Sequence, residues 1–306
     1  MNWTGVMPAM TTAFDKEFNV DHPFVARHAQ WLVENGCTGI ICLGSLGESP
    51  TLTFQEKIEI LNTVIAAIDG KAPVVAAISA LSTAEAVELA KAAHAVGCSG
   101  LMILPPYVYK GDWRENKAHV AAILKATPLT GILYNNPVAY STDFLPDQIQ
   151  ELALEYSNLA GVKESSTDVR RISAIRALIG DQLALCVGVD DAIVEGIAAG
   201  AVGWVAGLVN ALPRESVDLF NLARAGKTKE AFELYQWFLP LLRMDTVPKF
   251  IQLIKQMQQE AGIGSARVRA PRLEVVGAEL AATRAVYEFA QANRPAVAVA
   301  STRFVL

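Results

Sequence analysis

The fold is decided by a short stretch that occurs three times, as GCTGIICL at 36–43, GCSGLMIL at 97–104 and GAVGWVA at 200–206. In each copy, one glycine ends an amphipathic helical pattern and a second glycine precedes a short apolar run. Capping boxes, formed by Thr53 with Glu56 and by Ser82 with Glu85, begin two of the helices between these runs. The stretch therefore predicts a junction from helix to strand that is repeated along the chain.

Reading the whole chain in this way predicts eight strands, each followed by a helix, near residues 5–11, 39–43, 74–78, 100–104, 131–134, 159–163, 183–187 and 203–207. Continuous apolar strands are typical of a parallel sheet that is covered on both faces. Eight such units favour an α/β fold of the (β/α)8 TIM barrel type. The rival is an open doubly wound sheet, which is expected to have a GxGxxG turn after its first strand, and none follows Met10.

The end of the chain is almost wholly helical in pattern. Helices are predicted near 215–224, 227–244, 247–261 and 272–292, which exceeds what the eighth unit needs. We therefore expect residues 1–213 to form the barrel and residues 214–306 to form C-terminal helices that complete and extend it. The apolar stretch 295–306 has no functional interpretation.

Composition excludes several classes of protein. The chain has 306 residues, of which 52% are hydrophobic and 19% are charged, which is enough to bury a large core and too apolar for disorder. The net charge is −5 without a concentration of Lys and Arg, so nucleic acid is not an expected partner. No apolar run reaches the roughly 18 residues that a bilayer span needs, and residues 1–14 lack the order of a signal peptide. A cytoplasmic enzyme acting on a small molecule fits these features.

Cysteine and histidine spacing indicates neither disulfides nor a metal. The cysteines contain no CxxC pair and are expected to be reduced core residues: Cys37, Cys42, Cys98 and Cys186. The histidines fall on predicted helices without HExxH spacing: His22, His28, His94 and His119. We therefore expect no metal site.

The chemistry of a barrel lies at the carboxyl ends of its strands. The second strand delivers Ser45 within GSLGESP, whose backbone N–H groups suit an anion such as a carboxylate, although a tight turn alone would also explain the glycines. The fifth strand delivers Tyr134, and the sixth delivers Lys163 at the end of an apolar run.

Lys163 is the strongest candidate for catalysis. If its side chain points into the barrel, that of Glu164 points away, because side chains alternate along a strand. A lysine at a strand end more often extends to water. However, Tyr134 ends the neighbouring strand, about 4.8 Å away, and both side chains can converge on one carbon. An amine in an apolar mouth is a nucleophile for a carbonyl, and a tyrosine beside it can carry protons.

Three motifs carry a family resemblance: GSLGE at 44–48, YNNP at 134–137 and GVKES at 161–165. In this order they resemble the signatures of the dihydrodipicolinate synthase and N-acetylneuraminate lyase superfamily, over residues 5–277. The resemblance implies a barrel with a C-terminal helical extension, assembled as a homotetramer or homodimer. It also implies that Lys163 forms a Schiff base with a 2-oxo acid, so that no separate cofactor is needed.

The resemblance assigns roles to the remaining residues. Tyr134 becomes the proton donor and acceptor, and Ser45 the hydroxyl that links it into a relay. The expected substrate contacts are Leu46, Gly47 and the backbone of Val205. Val108 stands where the family has a second relay tyrosine, so that Tyr107 or Tyr109 is expected to substitute from a neighbouring subunit.

Departures from the family pattern point to a branch within it. Dihydrodipicolinate synthases have an arginine where this chain has Ala139, and usually a threonine where it has Leu46. Loss of that arginine removes a bidentate partner for the second substrate's carboxylates, so lysine biosynthesis is not expected. YNNP, Tyr140 and the residues after Lys163 are similar to the branch that deaminates 1-pyrroline-4-hydroxy-2-carboxylate to 2,5-dioxopentanoate. The alternatives are a dehydratase of 2-oxo-3-deoxy sugar acids, a pyruvate-releasing aldolase and, more remotely, a non-catalytic binding barrel.

Overall fold

The computed structural model describes residues 1–297 and residue 304. Eight parallel strands alternate with helices. The strands are β1 (Gly5–Pro8), β2 (Ile40–Cys42), β3 (Val74–Ile78), β4 (Gly100–Ile103), β5 (Thr130–Asn135), β6 (Leu159–Glu164), β7 (Ala184–Val187) and β8 (Gly203–Ala206). Almost all of their side chains are buried, as the continuous apolar runs predict.

The strands form one sheet in the order β1-β8-β7-β6-β5-β4-β3-β2. The remaining edge is joined by a parallel bridge between Ala9 and Ile41 and by the Met10 N–H, which donates to the Ile41 carbonyl at 2.8 Å. The sheet therefore curls into a (β/α)8 TIM barrel, and the open doubly wound alternative is wrong.

Twelve α-helices lie in the described part of the chain. They are α1 (His22–Glu34), α2 (Phe54–Ile68), α3 (Thr83–Ala95), α4 (Trp113–Ala126), α5 (Pro137–Tyr140), α6 (Pro146–Glu155), α7 (Arg170–Ile179), α8 (Ile193–Ala198), α9 (Pro213–Arg224), α10 (Thr228–Leu242), α11 (Phe250–Glu260) and α12 (Gly277–Ala292). The predicted capping boxes of α2 and α3 are both formed.

The repeated glycine motif ends its helices as predicted. Gly36, Gly97 and Gly200 have φ values of +97°, +96° and +109°. A residue with a Cβ is strained in this left-handed region, so glycine is favoured there. In this conformation the backbone N–H groups after the helix can donate to its last carbonyls. Each turn then sends the chain directly into β2, β4 or β8.

The C-terminal helices continue the barrel without a linker. The predicted boundary at 213 falls on the first residue of α9, and α10 to α12 extend the fold. The helix predicted over 272–292 begins only at Gly277, since residues 272–276 form no regular secondary structure. Arg272 lies 3.7 Å from Glu48 at the barrel mouth. The apolar stretch 295–306 lies largely outside the described residues.

The histidine and cysteine positions agree with the sequence. All four histidines are on helices, and all four cysteines are buried and unpaired. Burial raises the pKa of the Cys98 thiol to about 12, so it is protonated at neutral pH. Within the described residues, no cluster of three or more His, Cys, Asp or Glu side chains is arranged to hold a metal. No helix of the described chain is long and apolar enough to cross a bilayer.

Candidate active site

Lys163 and Tyr134 face each other at the carboxyl end of the barrel. They are direct partners in the ladder between β5 and β6, so the strands bring them together through register alone. Both side chains are buried, and the Lys163 Nζ lies 4.0 Å from the centre of the Tyr134 ring. No carboxylate of the described residues forms an ion pair with this amine. The pair is therefore a buried amine stacked on a tyrosine, as the sequence predicts.

The neighbouring side chains on the outer face hold the two strand ends together. Glu164 points away from Lys163 and accepts hydrogen bonds from the Asn135 side-chain amide at 3.0 Å and from the Ser166 N–H at 2.6 Å. The same amide of Asn135 donates to Asp143, which pairs with Arg171 at 2.6 Å. Since these bonds cross-link β5, β6 and α7, they fix the relative positions of Lys163 and Tyr134.

A cluster of hydroxyl groups adjoins Tyr134. Ser45 and Tyr140 share a short hydrogen bond between their hydroxyls. The Tyr140 ring lies 5.7 Å from the Tyr134 ring and 5.5 Å from the Tyr107 ring. Burial, followed by the charges that Tyr134 and Tyr107 would carry, raises the pKa of Tyr140 well above its ordinary value. Burial likewise raises the pKa of Tyr107. Both hydroxyls are therefore kept protonated and can donate hydrogen bonds.

The hydroxyl groups in this cluster differ from those of the expected relay. Tyr140, which sequence reasoning noted only as part of the resemblance, bonds to Ser45 because the single turn of α5 directs it back towards β2. Tyr107 lies against Tyr140 within its own chain. The Tyr109 side chain is 55% exposed, and its hydroxyl donates to Glu115 at 2.9 Å, apart from this cluster. A contribution of Tyr107 or Tyr109 to a neighbouring subunit stays a prediction.

The turn after β2 presents free backbone donors. The N–H groups of Ser45, Leu46 and Gly47 have no hydrogen-bond partner among the described residues, whereas the next N–H, of Glu48, returns to the Ser45 carbonyl at 3.0 Å. Successive unpaired N–H groups form a concave site for an anion. The Leu46 side chain is buried, and the predicted contacts of Leu46 and Gly47 with substrate stay predictions.

The wall formed by β7 and β8 carries a buried acid, Asp190, that the sequence does not reveal as a site residue. Val205 is buried in β8, next to this wall. The Asp190 carboxylate accepts hydrogen bonds from the N–H groups of Gly207 at 3.1 Å and Leu208 at 2.7 Å and from the Trp204 ring at 3.0 Å. Burial raises the pKa of Asp190 to about 6, although the hydrogen bonds from Leu208, Gly207 and Trp204 and then the positive charge of Lys163 oppose that rise. Asp190 therefore holds the backbone beyond Val205.

One buried hydroxyl near Lys163 lacks a partner. The Ser165 side chain is 2% exposed, and its Oγ has no hydrogen-bond partner among the described residues. Ser165 lies two residues after Lys163 on the same face of the chain, and a methyl group at Gly188 would overlap both side chains. The hydroxyl is thus available to a ligand beside the amine.

Comparison with known proteins places this chain in a family. The model of the dihydrodipicolinate synthetase family matches residues 2–288. The chain belongs to this family. Its members are lyases, and the chain is therefore an enzyme of this class.

Relatives and solved structures of the family cover nearly the whole chain. A 4-hydroxy-tetrahydrodipicolinate synthase of Methanococcus maripaludis strain C6 is 31% identical over 271 residues, which cover 89% of this chain and 93% of the relative. One from Mesorhizobium japonicum is 32% identical over 237 residues, with coverage of 78% and 81%. The structure of the synthase from Methylacidiphilum fumariolicum SolV superposes with a TM-score of 0.92 at 26% identity and covers 95% of this chain and 97% of that one. A putative dihydrodipicolinate synthetase from Pseudomonas aeruginosa superposes at 0.90, also at 26% identity, with coverage of 94% and 100%.

Proposed function

We propose that this family member is a Schiff-base lyase that deaminates 1-pyrroline-4-hydroxy-2-carboxylate to 2,5-dioxopentanoate. One observation carries the Schiff-base chemistry. The Lys163 amine is buried 4.0 Å from the centre of the Tyr134 ring, and no carboxylate of the described residues forms an ion pair with it. An amine in such surroundings is available to attack a carbonyl or imine carbon.

The reaction divides into steps that these residues can perform. The N–H groups of Ser45, Leu46 and Gly47 bind the substrate carboxylate and orient C2 towards Lys163. The amine adds to C2 of the ring imine, and the bond from C2 to the ring nitrogen breaks, which leaves that nitrogen as a primary amine on C5. A proton then leaves C3 to give an enamine.

The enamine expels the C4 hydroxyl, which leaves as water. Proton shifts convert the resulting C5 amine into an imine, one water hydrolyses it to an aldehyde and ammonia, and a second water releases the product from Lys163. The net reaction consumes one water. Tyr134 carries the protons, and its hydroxyl receives a hydrogen bond at 3.0 Å from the Asn136 side chain. Ser45 and Tyr140 extend the proton path.

The side chains favour this substrate over that of the synthases for which the relatives are named. Ala139 is exposed at the start of α5, where a synthase has its arginine, and its short side chain cannot bind a second carboxylate. The free Ser165 hydroxyl beside Lys163 offers a hydrogen bond to a substrate hydroxyl. We further propose that the enzyme is cytoplasmic and works as a homotetramer or homodimer without a cofactor.

Trapping with borohydride tests the function. Reduction fixes a Schiff base as a stable mass increase, which we expect for the wild type with 1-pyrroline-4-hydroxy-2-carboxylate and with pyruvate. Lys163→Ala should give no increase. Release of ammonia from the first compound alone would support deamination, whereas turnover of 2-oxo-3-deoxy sugar acids would favour the dehydratase or the aldolase.

Two further outcomes contradict the proposal. Condensation of pyruvate with aspartate semialdehyde would make the enzyme a synthase like its named relatives. Failure of the wild type to form any adduct would contradict Schiff-base chemistry and support a non-catalytic binding barrel.

A further inference from the structure

The turn with the free N–H groups depends on an unusual residue. Glu48 directly follows Gly47 and has φ +56° and ψ +30°, a left-handed conformation that is uncommon outside glycine. Its side chain is completely buried. This conformation reverses the chain, so that the Glu48 N–H bonds to Ser45 and the Ser49 N–H to Gly44, at 3.0 and 3.4 Å. The N–H groups of Ser45, Leu46 and Gly47 are left without a hydrogen-bond partner among the described residues.

Within the described residues, every donor to the Glu48 carboxylate comes from the C-terminal extension. Oε1 accepts from Lys255 Nζ of α11 at 2.7 Å, and Oε2 accepts from the Arg269 backbone N–H at 3.0 Å. Arg272 lies 3.7 Å from the same oxygen. Lys255 is 207 residues away in the sequence, so this contact joins the last third of the chain to the turn at the barrel mouth.

Lys255 itself has little freedom. Its side chain is 2% exposed, and its Nζ lies 4.4 Å from the centre of the Phe14 ring. The Arg269 guanidinium lies 4.5 Å from the same ring and pairs with Glu56 at 2.6 Å. Because a buried charge without its partner is costly, Lys255 and Glu48 hold each other in place.

We propose that Lys255 is a positioning residue for the carboxylate subsite: through Glu48 it holds the turn at 45–47 in the conformation that binds the carboxylate of a 2-oxo acid. This inference rests on the proposed Schiff-base function. Lys255 does not contact the reacting atoms, so its loss should weaken the binding of carboxylate ligands and leave the amine chemistry intact.

The test compares two ligands that differ in one charge. Wild type, Lys255→Met and Lys255→Arg are titrated with pyruvate and with methyl pyruvate, which lacks the carboxylate charge, and the adduct is trapped with borohydride. For Lys255→Met we expect at least a tenfold rise in the half-saturating concentration of pyruvate and less than a twofold change for methyl pyruvate. Lys255→Arg should restore most of the pyruvate binding, because it keeps the charge.

A matched control separates positioning from general damage. Arg294→Met breaks another ion pair of the C-terminal helices, in which Arg294 lies 2.5 Å from the buried Glu215. It should leave both titrations unchanged. If Lys255→Met does not fold, the double variant Glu48→Gln/Lys255→Met removes both buried charges and should show the same selective loss for pyruvate.

The outcomes distinguish the two proposals. A wild type that traps pyruvate, together with a Lys255→Met variant or double variant that binds it equally well, would overturn the positioning role alone. An equal loss of binding for pyruvate and methyl pyruvate would also overturn the positioning role, because the defect would then be independent of the carboxylate charge. A wild type that traps neither ligand would refute the Schiff-base function, and this inference with it.

Discussion

Gly188 gives the sharpest test of where Lys163 must lie. A Cβ at this position would lie 2.0 Å from the Ser165 Oγ, 2.6 Å from the Lys163 Cε and 2.7 Å from its Cγ. Ordinary contacts are 3.4–4 Å. The Ser165 hydroxyl can rotate away from the added Cβ. The overlaps with Cγ and Cε of Lys163 cannot both be removed without moving the amine. Gly188→Ala should therefore displace Lys163 from Tyr134.

The size of the effect follows from that displacement. Moving a reacting group by about 1 Å can cost roughly 10²-fold in rate. Overpacking of this kind costs about 1–3 kcal/mol of stability, or roughly 2–8 °C in Tm. We expect the rate of adduct trapping with pyruvate to fall about 100-fold, while the protein stays folded by circular dichroism.

The control is Gly70→Ala. Gly70 follows α2 with φ +73°, and a Cβ there meets nothing within 4 Å. An alanine in that left-handed conformation should cost about 1 kcal/mol of stability, which is comparable to the cost of Gly188→Ala. Gly70→Ala should not displace the Lys163 amine. A Gly188→Ala enzyme that traps pyruvate within threefold of the Gly70→Ala rate would refute the assigned position of Lys163.

Three further predictions address the proton path and the charges around the mouth. Tyr134→Phe should still trap pyruvate but should lower the rate of ammonia release by about 10²–10⁴-fold, and an unchanged rate would exclude Tyr134 as the proton carrier. Burial lowers the pKa of Lys255 to about 8, so its charge is lost as the pH rises through that value. At pH values above 8, the half-saturating concentration of pyruvate should therefore increase for the wild type but not for Lys255→Arg. The charged groups that face Lys255 are Glu48, Arg269 and Arg272. Hydrogen bonds from Arg269 hold the pKa of Glu56 at about 2, so this pair should stabilise the fold above pH 4.5 and lose that effect as the pH falls towards 2. Urea unfolding of Glu56→Gln should show a loss of about 2 kcal/mol at pH 7 that shrinks near pH 3, and a constant difference would contradict this reasoning.

The sequence is most informative where the chain is locally constrained. The apolar runs and the glycines at 36, 97 and 200 predict the strands and the helix ends, because both depend on neighbouring residues. Lys163 and Tyr134 are predictable as a pair because each ends a strand and the strands are adjacent. Their catalytic roles stay predictions.

The other parts of the site depend on distant contacts. Tyr140 reaches Ser45 only through the turn of α5, and the partners of Asp190 lie beyond the next strand. The ion pair of Glu48 with Lys255 spans 207 residues, and no local pattern marks it. A lysine on the apolar face of an amphipathic helix indicates that an anionic group pairs with it. The sequence does not indicate which residue supplies that group.

That ion pair also bears on why the barrel has its extra helices. Replacing a buried ion pair with apolar residues is often neutral or stabilising, so stability alone is a weak reason for burying Lys255 and Glu48. The geometry supplies a stronger reason, because Glu48 carries the backbone turn that leaves three N–H groups free at the barrel mouth. A barrel ending at residue 213 would retain Lys163 and Tyr134 but would lose the cation that fixes this turn. The C-terminal helices are therefore better understood as part of the substrate site than as a separate appendage.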